Sequence, residues 1–244
     1  MERHLDWDGC FNARDLGGLS LTGGGTTRPR AVVRAESPER LTPAGWEALA
    51  AYGVRTLVDL REDGEAGTGY PVPPGHGIAR VRVPLDDTAD TAFWQRCHAR
   101  GWSPATPLYY RAFLAEKAAR CAAALTAVAR AAPGGVLVHC AAGRDRTGLV
   151  TLALLALAGA TADAIVADYD LSAARLPGFY AALGRHGEEA LIQETLAAAG
   201  TTASAEVRAL LAETDIPAVL RAAGLSPADA TALRTRLTAP VPAP

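Results

Sequence analysis

His139-Cys140-Ala141-Ala142-Gly143-Arg144-Asp145-Arg146-Thr147-Gly148 follows Val136-Leu137-Val138 and precedes an almost unbroken apolar stretch, Leu149, Val150, Leu152, Ala153, Leu154, Leu155 and Leu157. The β-branched run leaves a Pro133-Gly134-Gly135 turn and reads as a buried strand. The apolar stretch after it reads as a helix that crosses a core. A strand, a tight loop and a helix start make a natural anion site, because loop N–H groups and the positive end of the helix converge on one point. Five residues separate Cys140 from Arg146. That spacing lets the amides of Ala141, Ala142, Gly143 and Arg144 curl around a tetrahedral oxyanion while Arg146 closes it with a bidentate fork. Gly143 relieves the turn in mid-loop.

The residue types in the loop suit phosphoryl transfer. The helix terminus, the loop amides and Arg146 all favour a Cys140 thiolate, which attacks phosphorus in line to give a phosphocysteine. Arg146 gains most in the transition state, where the equatorial oxygens align with its fork. Thr147 is placed to donate its hydroxyl to the Cys140 sulfur and ease its departure. The leaving oxygen needs a proton and the second-step water needs a base, and one carboxyl group serves both in turn. Asp145 inside the loop and Asp86 in Val83-Pro84-Leu85-Asp86-Asp87 are the candidates. Arg144 adds a second positive charge for the substrate. No metal and no cofactor is expected.

Bulk properties narrow the class. At 244 residues and 49% hydrophobic, the chain has enough apolar material for one substantial core. A net charge of -2 with no basic stripe argues against nucleic-acid binding. Lys117 is the single lysine. Cys10, Cys97, Cys121 and Cys140 show neither metal spacing nor a disulfide framework, which fits a reducing cytoplasm. The first residues contain no apolar signal core, leaving only unconventional secretion open, and Leu149 to Ala158 is too short to span a bilayer.

Along the chain, strands are expected near 31–33, 54–60, 80–85 and 136–138, the third nearer an edge because it alternates. Helices are expected over 43–52, where Thr42 caps and Pro43 fills the first turn, and over 107–131. A Gly/Pro loop at 62–77 reads as a rim of the site, and 86–105 as a long irregular segment. Seven further helices are expected, near 147–158, 161–171, 173–185, 188–199, 204–213, 216–223 and 227–237. The fold class is therefore α/β, a central mostly parallel sheet flanked by helices with a helical C-terminal region. Residues 1–239 are expected to form one domain, helical from about 160 to 239, with 240–244 a disordered tail.

The signature resembles that of the cysteine-dependent protein tyrosine and dual-specificity phosphatases, H-C-x-x-G-x-x-R-[ST]-G. It is most similar to a bacterial atypical branch that carries Asp before the signature Arg, here Asp145-Arg146, and an N-x-R-D-L-G-G element, here Asn12 to Gly18. Val33 to Glu36, Leu41 to Gly45, Val58 to Arg61 and Ile165 to Tyr169 also match in chain order. The resemblance implies action on phosphotyrosine proteins or other phosphomonoesters, phosphoinositides included. It gives His139 a loop-organising role. Asp86 and Asp87 then resemble the acid loop of dual-specificity enzymes, and Asp145 the in-loop acid of myotubularin-like ones; short range favours Asp145. Arg14, Asp15, Arg34, Asp59 and Arg61 are expected to form an ion-pair network beneath the loop, and a protective Cys10–Cys140 disulfide is conceivable. His76, His98 and His186 read as surface residues. Two other functions use similar parts: a phosphate-binding pseudophosphatase, and a rhodanese-like sulfurtransferase or arsenate reductase.

Overall fold

Val136, Leu137 and Val138 sit at the centre of a sheet. Strand β5 (Gly135–His139) runs between β2 (Val32–Ala35) and β3 (Val54–Asp59), parallel to both. Beyond β3 lies β4 (Ala79–Arg82), also parallel, and beyond β2 lies β1 (Arg14–Asp15), antiparallel. The strand order is β1-β2-β5-β3-β4. The computed structural model describes residues 3–66 and 70–239, so the expected tail at 240–244 lies outside the described residues, as do 67–69 of the 62–77 loop.

Strand periodicity sends alternate side chains to two cores. Val136 and Val138 enter the larger one with Phe113, Leu149 and Val150, while Leu137 enters the smaller with Val33, Trp46 and Leu49. β5 is buried throughout, as a strand covered on both faces should be. β4 alternates exposed and half-buried residues, as expected of an edge. In register, Ala35 and Asp59 flank His139, so the chain leaves three parallel strands at one level. Loops beginning at Glu36, Leu60 and Cys140 therefore meet at the C-terminal edge, where sheets of this kind bind ligands.

Helix α1 (Pro43–Tyr52) starts where Thr42 accepts the Gly45 N–H at 3.2 Å and ends at Gly53, with φ +102°. The short α2 (Asp63–Ala66) follows β3. A 3-10 turn at Pro107–Tyr109 leads into α4 (Tyr110–Ala129), which bends at Lys117, its one residue with non-helical dihedrals. In α5 (Asp145–Ala158) ten of the 14 residues are buried, which is the all-round burial its composition demands. The rest of the helical layer comprises α6 (Ala162–Ala182), α7 (Glu188–Ala198), α8 (Ala203–Glu213), α9 (Ile216–Ala222) and α10 (Pro227–Thr238). Among the described residues no helix is long and apolar enough to cross a membrane.

Two expectations are corrected. Residues 86–105 are not irregular throughout, because α3 (Thr91–Ala99) forms there, capped by Asp90, which accepts the Phe93 N–H at 3.1 Å. Its buried stripe is only Phe93 and Cys97, too short a pattern to stand out. The helices expected at 161–171 and 173–185 are one continuous α6. Its buried residues Ile165, Tyr169, Ser172, Leu176 and Phe179 keep helical spacing through the expected break, and Pro177 lies inside the helix.

Candidate active site

The loop from Cys140 to Arg144 is gripped by its carbonyls. Arg34 donates to the carbonyls of Gly143 at 2.8 Å and Arg144 at 3.1 Å. Asn12 Nδ2 donates to those of Ala142 at 3.1 Å and Gly143 at 3.3 Å, and the Ser37 N–H to that of Ala141 at 2.9 Å. With the carbonyls engaged on the scaffold side, the N–H groups of residues 141–144 find no protein acceptor among the described residues, the condition for an anion cradle. Gly143 is required twice over. Its φ is +68°, and a Cβ there would stand 2.1 Å from the Ala35 carbonyl oxygen.

The grip is itself braced. Asp168 of α6 receives Arg3 at 2.7 Å, Arg14 at 3.2 Å and Arg34 at 2.9 Å, and these charges hold its carboxyl well below the usual carboxylate range despite burial. Arg14 also donates to Asn12 Oδ1 at 2.6 Å, which leaves Asn12 Nδ2 to face the loop carbonyls. Glu36 accepts the N–H groups of Phe11 and Asn12 at 2.5 and 2.9 Å. The expected single network is in fact divided. Asp59 and Arg61 form a separate bidentate pair at 3.0 Å on the other side of β5, extended by Glu39. The Asp15 carboxylate joins neither group; it accepts the N–H groups of Gly17 and Arg30 at 2.8 and 2.7 Å, and only the Asp15 carbonyl meets Arg3, at 3.1 Å.

His139 is fully buried and pushed down to about 4 by that burial, so it is neutral near pH 7. Its tautomer follows from its partners. Cys140 O can only accept, so Nδ1 donates to it at 3.1 Å, and Nε2 accepts the Tyr70 hydroxyl at 2.7 Å.

A cleft of about 390 Å³ opens above the loop. Cys140, Ala141, Ala142, Asp145 and Arg146 form its floor, and Glu65, Asp86, Pro104, Ala105, Phe179, Tyr180, Leu183, Arg185 and Glu188 line its sides. A larger groove of about 450 Å³ between Trp46, Tyr70 and His76 is lined by no cysteine, so the thiol chemistry belongs to the smaller cleft. The Asp86 carboxyl stands 3.4 Å from Arg146 Nε. Burial, together with Glu65, Glu62 and Asp145, pushes it up to about 6 against the pull of Arg146. Asp145, the first residue of α5, is likewise pushed up to about 6 by burial, although Arg144 and the Tyr169 hydroxyl, 3.1 Å from Oδ1, favour its charged form. Both expected carboxyls thus line the same cleft.

Other expected site residues are placed differently. Arg144 turns away from the cleft; it is buried and pairs with Glu189 of α7 at 2.5 Å. Thr147 Oγ1 is buried with no hydrogen-bond partner among the described residues, and the expected bond to the Cys140 sulfur is not formed. Cys10 and Cys140 are free thiols, and Cys10 bonds Glu36 Oε2 at 3.1 Å instead of Cys140. His98 and His186 are exposed as expected, while His76 is half-buried 3.8 Å from Glu47. Sequence reasoning missed Glu65, whose carboxylate pairs both terminal nitrogens of Arg146 at 2.5 Å. Its only signal was membership of the 62–77 rim. It also gave no role to Asp168, although the Ile165 to Tyr169 element contains it.

A model of the tyrosine phosphatase family matches residues 5–239. A Cupriavidus necator protein assigned as a tyrosine-protein phosphatase is 35% identical over 176 residues, 68% of this chain and 62% of that protein. The triple specificity protein phosphatase of Mycobacterium tuberculosis is 31% identical over 186 residues, 66% of each chain. A tyrosine-protein phosphatase of Nostoc commune is 32% identical over 149 residues, 61% of this chain and 50% of its own. The matched region thus spans half to two thirds of the length of these relatives.

Proposed function

The chain belongs to the tyrosine phosphatase family, and from that premise we propose that it is a cysteine-dependent protein-tyrosine phosphatase working through a phosphocysteine. The observation that carries this reading is the loop whose carbonyls are all held from outside, with Cys140 and Arg146 on the floor of the cleft it bounds. A phosphate monoester seats its three nonbridging oxygens on the loop amides and the Arg146 fork. The Cys140 thiolate attacks phosphorus, the S–P bond forms, the ester P–O bond breaks, and a carboxylic acid hands its proton to the leaving oxygen. Water then attacks phosphorus and gives its proton to the same carboxylate. The S–P bond breaks, releasing phosphate and the thiolate.

We assign the proton to Asp86 ahead of Asp145, reversing the order that sequence proximity favoured. The Asp86 carboxyl accepts no hydrogen bond from a neutral donor among the described residues and lines the cleft directly. Asp145 is steadied in its charged form by Tyr169 and serves the electrostatics of the floor. Thr147 and the amides of residues 141–144 complete the substrate-binding set. Phosphotyrosine suits the walls, because Phe179 and Tyr180 offer aromatic surface to an aryl ester. Arg144 and Arg185 are paired with Glu189 and Glu188, which favours a single phosphoryl group over a polyphosphorylated lipid. Dual specificity remains the broader form of the same reading, supported by the name of the mycobacterial relative. Residues 1–239 act as one catalytic unit in this proposal, and four free thiols suit a reducing compartment such as the cytoplasm.

Turnover of p-nitrophenyl phosphate in excess EDTA, together with trapping of a phosphorylated Cys140, is the test. Activity that survives Cys140→Ser, or that EDTA removes, overturns the proposal. A pseudophosphatase binds phosphate without turnover, and a sulfurtransferase moves sulfane sulfur to cyanide instead.

A further inference from the structure

The turn that carries Asp86 is pinned from several sides. Asp87 has φ +54°, in the left-handed region that aspartate and asparagine enter more readily than other residues with side chains. One buried cation anchors the turn there. Lys117 Nζ donates to Asp87 Oδ2 at 3.0 Å and to Asp90 Oδ2 at 2.7 Å, and its side chain is 7% exposed. The ammonium also lies 5.1 Å from the centre of the Phe93 ring. Helix α4 deforms at this residue alone, with φ −129° and ψ 20° at Lys117.

Neighbouring groups complete the bracket. Arg120 reaches Asp87 Oδ1 at 2.8 Å and the Pro84 carbonyl at 3.1 Å. Glu62 accepts the Asp87 N–H at 3.0 Å, and Trp94 Nε1 donates to the Asp86 carbonyl at 3.2 Å. Pro84, Asp86, Asp87 and Asp90 are each tied down, whereas the Asp86 carboxyl is directed at the cleft, 3.4 Å from Arg146. An ammonium leaves water at a cost, and it stays buried here because two carboxylates compensate it. The chemistry of this position is also specific. Of the 24 Lys and Arg residues this is the single lysine, and a compact three-donor nitrogen satisfies two carboxylates at one point in a way a planar fork does not.

We infer that Lys117 is a positioning residue for the proposed phosphatase reaction: through Asp87 and Asp90 it fixes the Asp86 carboxyl over the Cys140 loop on the leaving-group side. It touches neither Cys140 nor the Asp86 carboxyl, so it acts through geometry. Asp145 belongs to the loop itself and needs no such bracket. Loss of Lys117 therefore impairs proton delivery only where Asp86 is the donor.

The inference rests on the phosphatase reading, and the experiment separates the two. Values of kcat/KM for p-nitrophenyl phosphate and for phenyl phosphate, whose leaving group is poorer, are measured for the unmodified protein, Lys117→Met, Asp86→Asn and the double variant. Lys117→Met should lose about tenfold or more beyond its p-nitrophenyl phosphate loss when the substrate is phenyl phosphate, because the poorer leaving group depends more on the acid. In the Asp86→Asn background the same change should cost less than about threefold on either substrate, since the two act as one unit. Equal losses on both substrates, or fully multiplicative losses with Asp86→Asn, overturn the positioning role. If Lys117→Met does not fold, Asp87→Asn, a residue tolerant of positive φ, enters the same four-way comparison with the same expected pattern. Turnover that survives Cys140→Ser overturns the phosphatase reading itself.

Discussion

Beneath the Cys140 loop three arginines converge on one carboxylate, while beside Asp86 two carboxylates converge on one lysine. The first cluster joins positions far apart in sequence, Arg3, Arg14, Arg34 and Asp168, and Arg14, Arg34 and Asp168 are almost wholly buried. The second gathers residues 87 to 120 at the surface, with Asp87 and Asp90 side chains 29% and 39% exposed. Their tasks differ accordingly. A nucleophile and its anion cradle tolerate little displacement, so their support is closed to water and doubly determined. A proton donor must meet a leaving group that differs between substrates, and its support is partly solvated and more easily disturbed.

Asp168→Ala should be the most damaging single change away from the loop. It leaves Arg14 and Arg34 buried without their counter-charge, at about 3–5 kcal/mol in urea unfolding. Lys117→Met should cost clearly less, because its partners regain water; a larger loss there than at Asp168 would erase the distinction between the two clusters. Gly143→Ala should cost about 1–3 kcal/mol, from positive φ and the collision with Ala35, and lower kcat by roughly 10²-fold as the cradle shifts. Normal kcat in that variant would show that the loop is less confined than its contacts imply.

Asp168 and the two cleft carboxyls predict opposite responses to acid. Asp168 is held below its unfolded value by the arginines, so its contribution is present above about pH 4 and is lost as pH falls through its depressed native value. Asp86 and Asp145 are raised to about 6 by burial, so their contribution is greatest below about pH 4 and is lost as pH rises toward 6. Asp86→Asn should therefore unfold at a higher urea midpoint than the unmodified protein at pH 7.5, with the difference vanishing near pH 4. Smallest of all should be Glu65→Gln. Its carboxylate is 36% exposed, so stability should move by less than about 1 kcal/mol. Inorganic phosphate should nevertheless inhibit this variant more tightly by a few-fold, because Glu65 competes for the Arg146 fork; unchanged inhibition would remove it from the cleft's electrostatics.

What could be read from the sequence follows the range of the interactions. The strand, loop and helix around Cys140 were legible because Val136 to Leu157 carries its own pattern of burial and turn chemistry. So was the cap at Thr42, which acts over three residues. Asp168 as the hub was not legible, since nothing local marks an aspartate on α6 as the partner of arginines more than 130 positions earlier. Arg144 was misjudged for the same reason: only the fold brings Glu189 to it. Helix α3 escaped notice because two buried residues in nine make too faint a stripe.

The hold on the Cys140 loop through main-chain oxygens has a consequence for variation. Asn12, Arg34 and Ser37 grasp atoms that every residue type possesses, so the cradle's shape is insulated from the side chains at positions 141 and 142. Those two positions, which line the cleft, are free to drift, and new preferences for what enters it can arise there without rebuilding the machinery beneath.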